Sequence, residues 1–562
     1  MKDLDQTLLL RLKQLEEVKR YYEDRDKLVG QYVNPRRELL RDSERYEDKG
    51  ERRGKTAYSG IPNSALSVWA DGMQGHMVSQ SLKWFKSILG NPKLNRIDEV
   101  QAWLQEYDEA MYGEFNRSNF YSILGEWFRD AGSVGTATLY TEEDLKNGSA
   151  VHTPIHPREI FIAENVYGNV DTVFRKFFLT AKQAYEKFGD ACSDTVKKNA
   201  EEKPEHKHEI IHAVFPNTDR MFNSLLSENK LVASVYMELS GSQEQRKAKI
   251  LRKSGYDMNP YAVWRLRKNS DEIYGYSPAH DAMTDILGIN QMGKTLLEAA
   301  HLAVNPAYNV PQSMRGQVRI EPKGYNYYDD SKNIITPVHT GVNYPIGIDR
   351  EERLQRMIED KYRVEFFMIL ARAEREMTAT EIMERQSEKA VLLGPQVDRL
   401  IQEGLSKVFD IVSDIAEQNG RIPPPPQVVL DSVEYEMAAG MPVSKIDIRF
   451  TGPLAQAQQQ LFNMRPIKNA MNDMAQVSVL FPDVLKKVRV KELADAILDA
   501  NNFPADLVYT SDEYDQILAQ EAQERAQMQA MQAAQGMADA YPNMTKAPEP
   551  GSPAEMIGNG IG

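Results

Sequence analysis

Cysteine is almost absent: Cys192 is the single one in 562 residues. That excludes an internal disulfide framework and any zinc site built on several thiolates, and it suits a reducing compartment. No run approaches the roughly 18 apolar residues of a membrane-crossing helix. The opening segment, MKDLDQTLLLRLKQLEE, is charged throughout and has no apolar stretch of the signal-peptide kind. Basic residues are the minority, with 68 Lys and Arg against 82 Asp and Glu and a formal net charge of -14. A protein that grips nucleic acid through a broad basic face is therefore not expected. One past which a polyanion slides without sticking is compatible with that charge. What is present is ordinary globular material, 41% hydrophobic and 27% charged, enough for a sizeable core. The length allows roughly three or four domains.

Hydrophobic spacing predicts a helix over residues 4 to 29, with Leu8, Leu12, Leu15, Val18 and Tyr22 on one face and Gly30 and Pro35 after it. Residues 36 to 57 are dense in charge and predict a solvated loop. Helices are expected from Asn63 to about Ser81, from Ile97 to Asn116 and from Phe120 to Ala131. From Thr136 the period changes to two. TATLYTEE, EIFIAEN, VDTVFRKFFL, EIIHAVFP, KLVASVYMEL, AKILRKS and YAVWRLRK predict short strands between Asn, Gly and Pro turns.

A long helix should then run from the N-cap Ser277, with Pro278 at its first position, to about Val304, where Asn305-Pro306 ends it. Residues 305 to 346, rich in Tyr, Pro, Gly and Asn, predict strands and turns. A second long helix is expected from Asp349, capped by Asp-x-x-Glu, to about Leu370. A third is expected from the capping box at Thr378 to about Gln418, kinked at Gly394-Pro395. After the linker Pro423 to Pro426, QVVLDSVEY and KIDIRFT predict a short β section. Mostly helical sequence follows, then a Gln/Ala/Met-rich helix from about 518 to 537 and a Pro/Gly-rich tail from about Tyr541. The fold class is α+β.

Two stretches match enzyme motifs. GINQMGKT, residues 288 to 295, fits the G-x-x-x-x-G-K-[ST] phosphate loop with Lys294 as its lysine. It falls inside an unbroken helical period, where the backbone N–H groups are committed to carbonyls four residues back and cannot cradle a phosphate. HEIIH, His208 to His212, fits the H-E-x-x-H zinc motif, which requires a helix. Its surroundings predict a strand, on which the two histidines lie ~13 Å apart, too far to share one zinc. Surface strand histidines are the expectation, and His206 would share their face. Cys192 in GDACSDT has no nearby base. Catalytic residues, metal ligands and cofactor-binding residues are therefore each expected to be none.

The informative feature is the order of parts: two long helices around a turn-rich insert, then a third, kinked one. At 1.5 Å per residue the first spans ~42 Å and the second ~33 Å, a stalk with a tip. Several segments in this order carry a resemblance: YVNPRREL, ALSVWADGMQGHMVSQSLKWF, RSNFYSILGEWFRDAGSVGTATLY, WRLRKNSDEIYGYSPAHDAM and MTATEIMERQSEKAVLLGPQVDRLIQEGL. From about residue 4 to about residue 520 the chain resembles the portal proteins, or head-to-tail connectors, of short-tailed, podovirus-type double-stranded DNA bacteriophages.

The resemblance implies a ring, usually of twelve subunits, at one capsid vertex, through which DNA is packaged and ejected. It implies a wing over 1–276, a stem helix over 277–304, a clip over 305–346 and a second stem helix over 347–370. A tunnel-loop region over 371–377 would follow, then a kinked wing helix with a β return over 378–459, a crown over 460–517 and a tail over 518–562. Implied partners are other copies of the chain, the duplex, major capsid and scaffolding proteins, the large terminase subunit and a tail adaptor, with no membrane and no cofactor. The implied location is the virion, after synthesis in host cytoplasm. Lys361, Arg363, Arg372 and Arg375 become candidates to face DNA, the alternative for each being a salt bridge with a neighbouring glutamate. Arg315, Arg319, Lys323 and Tyr327 become candidates for docking the motor. The alternatives are another structural phage protein, a scaffold or core protein, or an enzyme using the two motif matches.

Overall fold

The computed structural model describes residues 4–37, 56–221, 226–241, 246–316, 318–319, 326–327, 334–337, 344–372, 393–438, 446–452, 465–478, 487–500, 508–509 and 511–544. The chain forms two compact units. The first comprises residues 1–87, 106–424 and 447–488, and the second 88–105, 425–446 and 489–562.

Helix α1 (Leu4–Tyr32) lays Leu8, Leu12 and Leu15 on a five-stranded antiparallel sheet. Its Lys19 is buried, and Nζ donates to the carbonyls of Pro157, Arg158 and Ile160 at 2.6, 2.9 and 2.7 Å. Burial lowers that amine to about 8. Then come α2 (Ile61–Met77), β1 (Phe85–Leu89), α3 (Asp98–Arg117) and α4 (Phe120–Val134). The alternating segments form strands as expected: β2 (Thr136–Asp144), β3 (Ser149–Ile155), β4 (Ile160–Glu164), β5 (Val170–Thr180), β6 (Lys207–Pro216), β7 (Val232–Ser240), β8 (Lys247–Tyr256) and β9 (Tyr261–Arg265). One sheet has the order β3-β2-β9 and the other is the meander β4-β5-β6-β7-β8. Strand β3 and the helices α5 (Ala181–Phe188) and α6 (Asp194–Glu202) are additions to the sequence expectation. Thr180 caps α5 with a full capping box, and Ser193 caps α6.

The first long helix is broken. Ser277 caps as expected, with its Oγ accepting from Ala279 N while His280 reaches back to the Ser277 amide. After α7 (Pro278–Asp281), Ala282 leaves helical geometry at φ -95° and ψ 1°, and α8 (Met283–Val304) continues to Asn305. The insert contributes one described strand pair, β10 (Tyr308–Asn309) with β11 (Thr336–Pro337). The second long helix starts earlier than Asp349 and is also broken, into α9 (Tyr344–Lys361) and α10 (Val364–Arg372). Of the third, the capping box at Thr378 lies outside the described residues. Its remainder is continuous as α11 (Gly394–Arg399), a π-helical turn (Leu400–Leu405) and α12 (Ser406–Gln418).

In the second unit, QVVLDSVEY is not a strand but the start of α13 (Gln427–Ala438). The carbonyl of Pro426 accepts from Val429 N and Leu430 N, so the proline run nucleates a helix. Val429 then packs among Leu89, Leu94, Val100, Trp103 and Leu104. KIDIRFT does give a strand, β12 (Ile446–Phe450). The remaining described elements are α14 (Arg465–Ser478) in the first unit, and α15 (Val490–Ala500) and α16 (Ser511–Met544) in the second.

Around β1, Asp108 accepts from the Ser87 amide at 3.0 and 3.2 Å. Burial raises its carboxyl from the usual 3.8 to about 6. Between those values the folded chain binds this proton more tightly than the unfolded one. Its contribution is thus fully present below about pH 4 and lost as pH rises through about 6. Asp108→Asn, which keeps an acceptor for Ser87, should be more stable than wild type at pH 8 by roughly 1–3 kcal/mol. Thermal melts of the two proteins should converge near pH 4; equal separation at both pH values would refute the assignment.

Candidate functional site

Helices α8 and α9 run antiparallel, and small residues set their spacing. A Cβ on Gly288 would sit 3.5 Å from Leu354 Cδ1, and one on Gly347 would sit 2.8 Å from Leu296 Cδ2. A Cβ on Gly288 would meet only ordinary van der Waals contact, so of the two glycines of GINQMGKT it is Gly293 that serves packing. A Cβ on Gly293 would sit 3.2 Å from the backbone carbonyl oxygen of Tyr58, and Asn290 Oδ1 accepts from Tyr58 N at 2.6 Å. Lys294 is half-exposed, with Nζ 4.0 Å from Glu298 Oε1. The whole stretch lies in α8, as its flanks predict, so no phosphate-binding loop is formed there.

HEIIH is on β6, also as predicted, but His212 is not a surface residue. It is 1% exposed, stacks on Tyr236 with ring centroids 3.9 Å apart, and has Nδ1 2.7 Å from Tyr261 Oη and Nε2 2.9 Å from Ser234 Oγ. Burial holds its pKa well below the usual value, with Lys187, Arg175 and Arg252 adding to the shift. The correction has a simple cause: β6 is a central strand, between β5 and β7, and its face is covered. His206 precedes the strand, beside His208 at 5.0 Å between ring centroids.

In α8 no described residue after Ile289 is buried, and Leu297, Leu302 and Val304 are 50%, 47% and 87% exposed. At its far end α9 returns to the body. Ile358 and Tyr362, one helical turn apart, are both fully buried, and Tyr362 Oη donates to Gly132 O of α4 at 3.3 Å. Burial pushes that phenol well above its usual range. The next residue, Arg363, has φ 55°, and the left-handed conformation there separates α9 from α10. Phe367 then fills the space over Gly72 of α2, where a Cβ would come within 2.3 Å of its ring.

The break places two of the four channel candidates together. Lys361 and Arg363 are exposed on either side of buried Tyr362, and neither forms an ion pair among the described residues. Of the glutamates weighed as their partners, Glu359 accepts from Gln355 Nε2 at 2.8 Å. Arg372 ends α10 and Arg375 lies outside the described residues. Of the docking candidates, Arg315, Arg319 and Tyr327 are exposed, Arg319 being clasped through its backbone by Asn326 at 2.7 and 2.8 Å, while Lys323 lies outside the described residues. Tyr362 is the residue that sequence reasoning missed. The signal for it was its place one turn after Ile358 in an apolar period.

Sequence comparisons with known proteins give the family. The family of bacteriophage head to tail connecting proteins matches residues 5–508. The chain belongs to that family. It is similar to a probable portal protein of Bordetella phage BPP-1, 28% identical over 525 residues that cover 91% of this chain and 90% of the relative. It is also similar to a portal protein of Salmonella phage epsilon15, 27% identical over 542 residues, 94% and 93% of the two chains. Among the described residues of this head-to-tail connecting protein, no helix is long and apolar enough to cross a membrane.

A non-glycine residue in the left-handed region carries roughly 1 kcal/mol of strain. Arg363→Gly should leave thermal stability unchanged or raise it by up to about that amount, whereas Arg363→Val should lower it by more. Equal melting temperatures for the two variants would mean that the break at 363 is not left-handed in solution.

Proposed function

We propose that this chain is a phage portal protein. Copies would form a ring at one capsid vertex, and duplex DNA would pass through its channel on packaging and on ejection. The observation that carries this reading is the α8–α9 pair in a chain of the connector family. Its outer stretch leaves leucine and valine side chains uncovered, and a helix pair of that kind needs further copies to cover it. Heterologous packing of such pairs around an axis closes a ring with the pairs lining or backing the channel. About twelve subunits, the number usual for portals, is the expectation.

In this reading residues 1–276 form the wing, 277–304 and 347–370 the two stem helices, and 305–346 the clip. The clip docks the large terminase subunit first and the tail adaptor afterwards. Residues 371–377 form the tunnel-loop region, 378–459 the kinked wing helix and its β return, 460–517 the crown and 518–562 the tail. Lys361 and Arg363 face the duplex as isolated cations on an acidic protein. Attraction from two cations is short-ranged, about 8 Å at physiological salt, so DNA is guided without being held. The chain performs no chemistry in this scheme. Nucleotide hydrolysis belongs to the docked motor, and Lys294 has no part in it.

Class averages of the purified protein by electron microscopy test the assembly. Rings of about twelvefold symmetry, with a hole wide enough for duplex DNA, are expected; compact particles without a hole would overturn the reading. For the basic pair, Lys361→Glu combined with Arg363→Glu should form rings at wild-type yield yet package less DNA per particle. Unchanged packaging would remove those residues from the channel.

A further inference from the structure

The turn Asn165–Asn169 between β4 and β5, the end of β9 and the π-helical turn after α11 enclose a cleft of about 240 Å³. That is many times the ~30 Å³ share of one water. Its floor is Arg265, 1% exposed and fully occupied. The guanidinium binds both oxygens of Glu403 at 2.7 and 3.2 Å, pairs with Glu164, and donates to the carbonyls of Gly168 and Ile273 at 2.9 and 3.3 Å. Lys268 Nζ lies 2.6 Å from Glu164 Oε1, and Arg399 donates to Arg265 O at 3.0 Å and pairs with Glu403.

The charges do not balance. Arg265, Lys268, Arg399 and Lys407 are four cations against the two carboxylates of Glu164 and Glu403, an excess of two positive charges. Lys407 is the decisive residue. It lines the cleft, is partly buried, and makes no ion pair or hydrogen bond among the described residues. A cation withdrawn from water without a direct partner is unfavourable; burial lowers the pKa of Lys407, with Glu403 opposing the shift from a distance and Arg265 adding to it. The π-helical turn, a feature frequent at functional sites, is what brings Gln402 and Glu403 to the cleft. Arg399 has a second Nη and Lys268 has further N–H groups left to donate.

We propose that this cleft binds one oxyanion, a phosphate or a carboxylate, on Lys407 and the open donors of Lys268 and Arg399. The anion neutralises the excess charge and ties the π-helical turn to the β4–β5 turn. Two sources share this chemistry: a free anion, or an acidic side chain of a neighbouring copy. Tyr167, 85% exposed at the rim, leaves the mouth open to either.

The test is thermal melting of the full-length chain, as separated unassembled and assembled fractions, in increasing inorganic phosphate at constant ionic strength set with NaCl. A saturable rise of a few degrees is expected in wild type. It should fall to a third or less in Lys407→Gln and persist in Lys407→Arg. A rise confined to the unassembled fraction identifies the occupant of the ring as a neighbour's carboxylate, and a rise in both identifies a free anion. An equal rise in Lys407→Gln, or none above the NaCl control in either fraction, overturns the proposal. Only the choice of source rests on ring assembly, so failure of the portal reading would leave the binding result standing.

Discussion

The structure depends most on the burial of one helix. In α4, nine residues from Phe120 to Val134 are buried, and neighbours close on it from several directions. Trp69 of α2 lies over Gly132, where a Cβ would come within 2.5 Å of its ring. Trp127 lies tilted against Trp264 of β9, with ring centroids 5.2 Å apart, and abuts Gly404 of the π-helical turn. Polar ends are matched as tightly. Arg37 meets both oxygens of Asp130 at 3.0 Å, Ser277 Oγ donates to Ser133 O at 2.5 Å, and Tyr362 reaches Gly132 O. A close-packed centre of this kind tolerates little volume change, so α1, α2, the β9 sheet, the helix pair and the π-helical turn are all registered against α4.

That registration accounts for the irregularities. Ala282 and Arg363 each interrupt a long helix and the Leu400–Leu405 turn widens one, in every case within a few residues of a contact with α4: Ser277 before the first, Tyr362 at the second, Gly404 within the third. A straight helix cannot satisfy a fixed contact at the body and also follow a different direction beyond it. At the break after α9 the anchor is Tyr362. With the phenol fixed inward, its neighbours Lys361 and Arg363 are exposed, so the pair is positioned by a buried tyrosine.

Much of this could be read from the sequence. Period-two alternation located seven of the eight strands in the two larger sheets, Ser277-Pro278 marked a helix start, and the flanks of GINQMGKT and HEIIH assigned those stretches to helix and strand. The failures have physical causes. QVVLDSVEY has β-branched residues suited to a strand, yet Pro426 O starts a helix that needs only Val429 for its core contact. His212 looked exposed because alternation cannot tell a central strand from an edge. Arg265 and Glu403 are 138 positions apart, and no local pattern announces such a pair. The left-handed Arg363 had no compositional signal either, since neither glycine nor asparagine stands there.

A net charge of -14 and a local excess of cations are consistent once location is considered. Cations that are exposed and unpaired among the described residues, such as Lys361 and Arg363, are screened within about a Debye length and would act on a polyanion only at close range. Cations withdrawn from water, as around Arg265, act on whatever fills the space beside them and are screened far less. On the portal reading, an acidic chain would repel a polyanion at longer range, and Lys361 and Arg363 are among the exposed cations that would attract it at close range. Weak attraction at a few points against a repulsive background is the condition under which a polymer remains centred and still moves. It requires the cations to be few and fixed in position, and the buried Tyr362 between them supplies the second of those requirements.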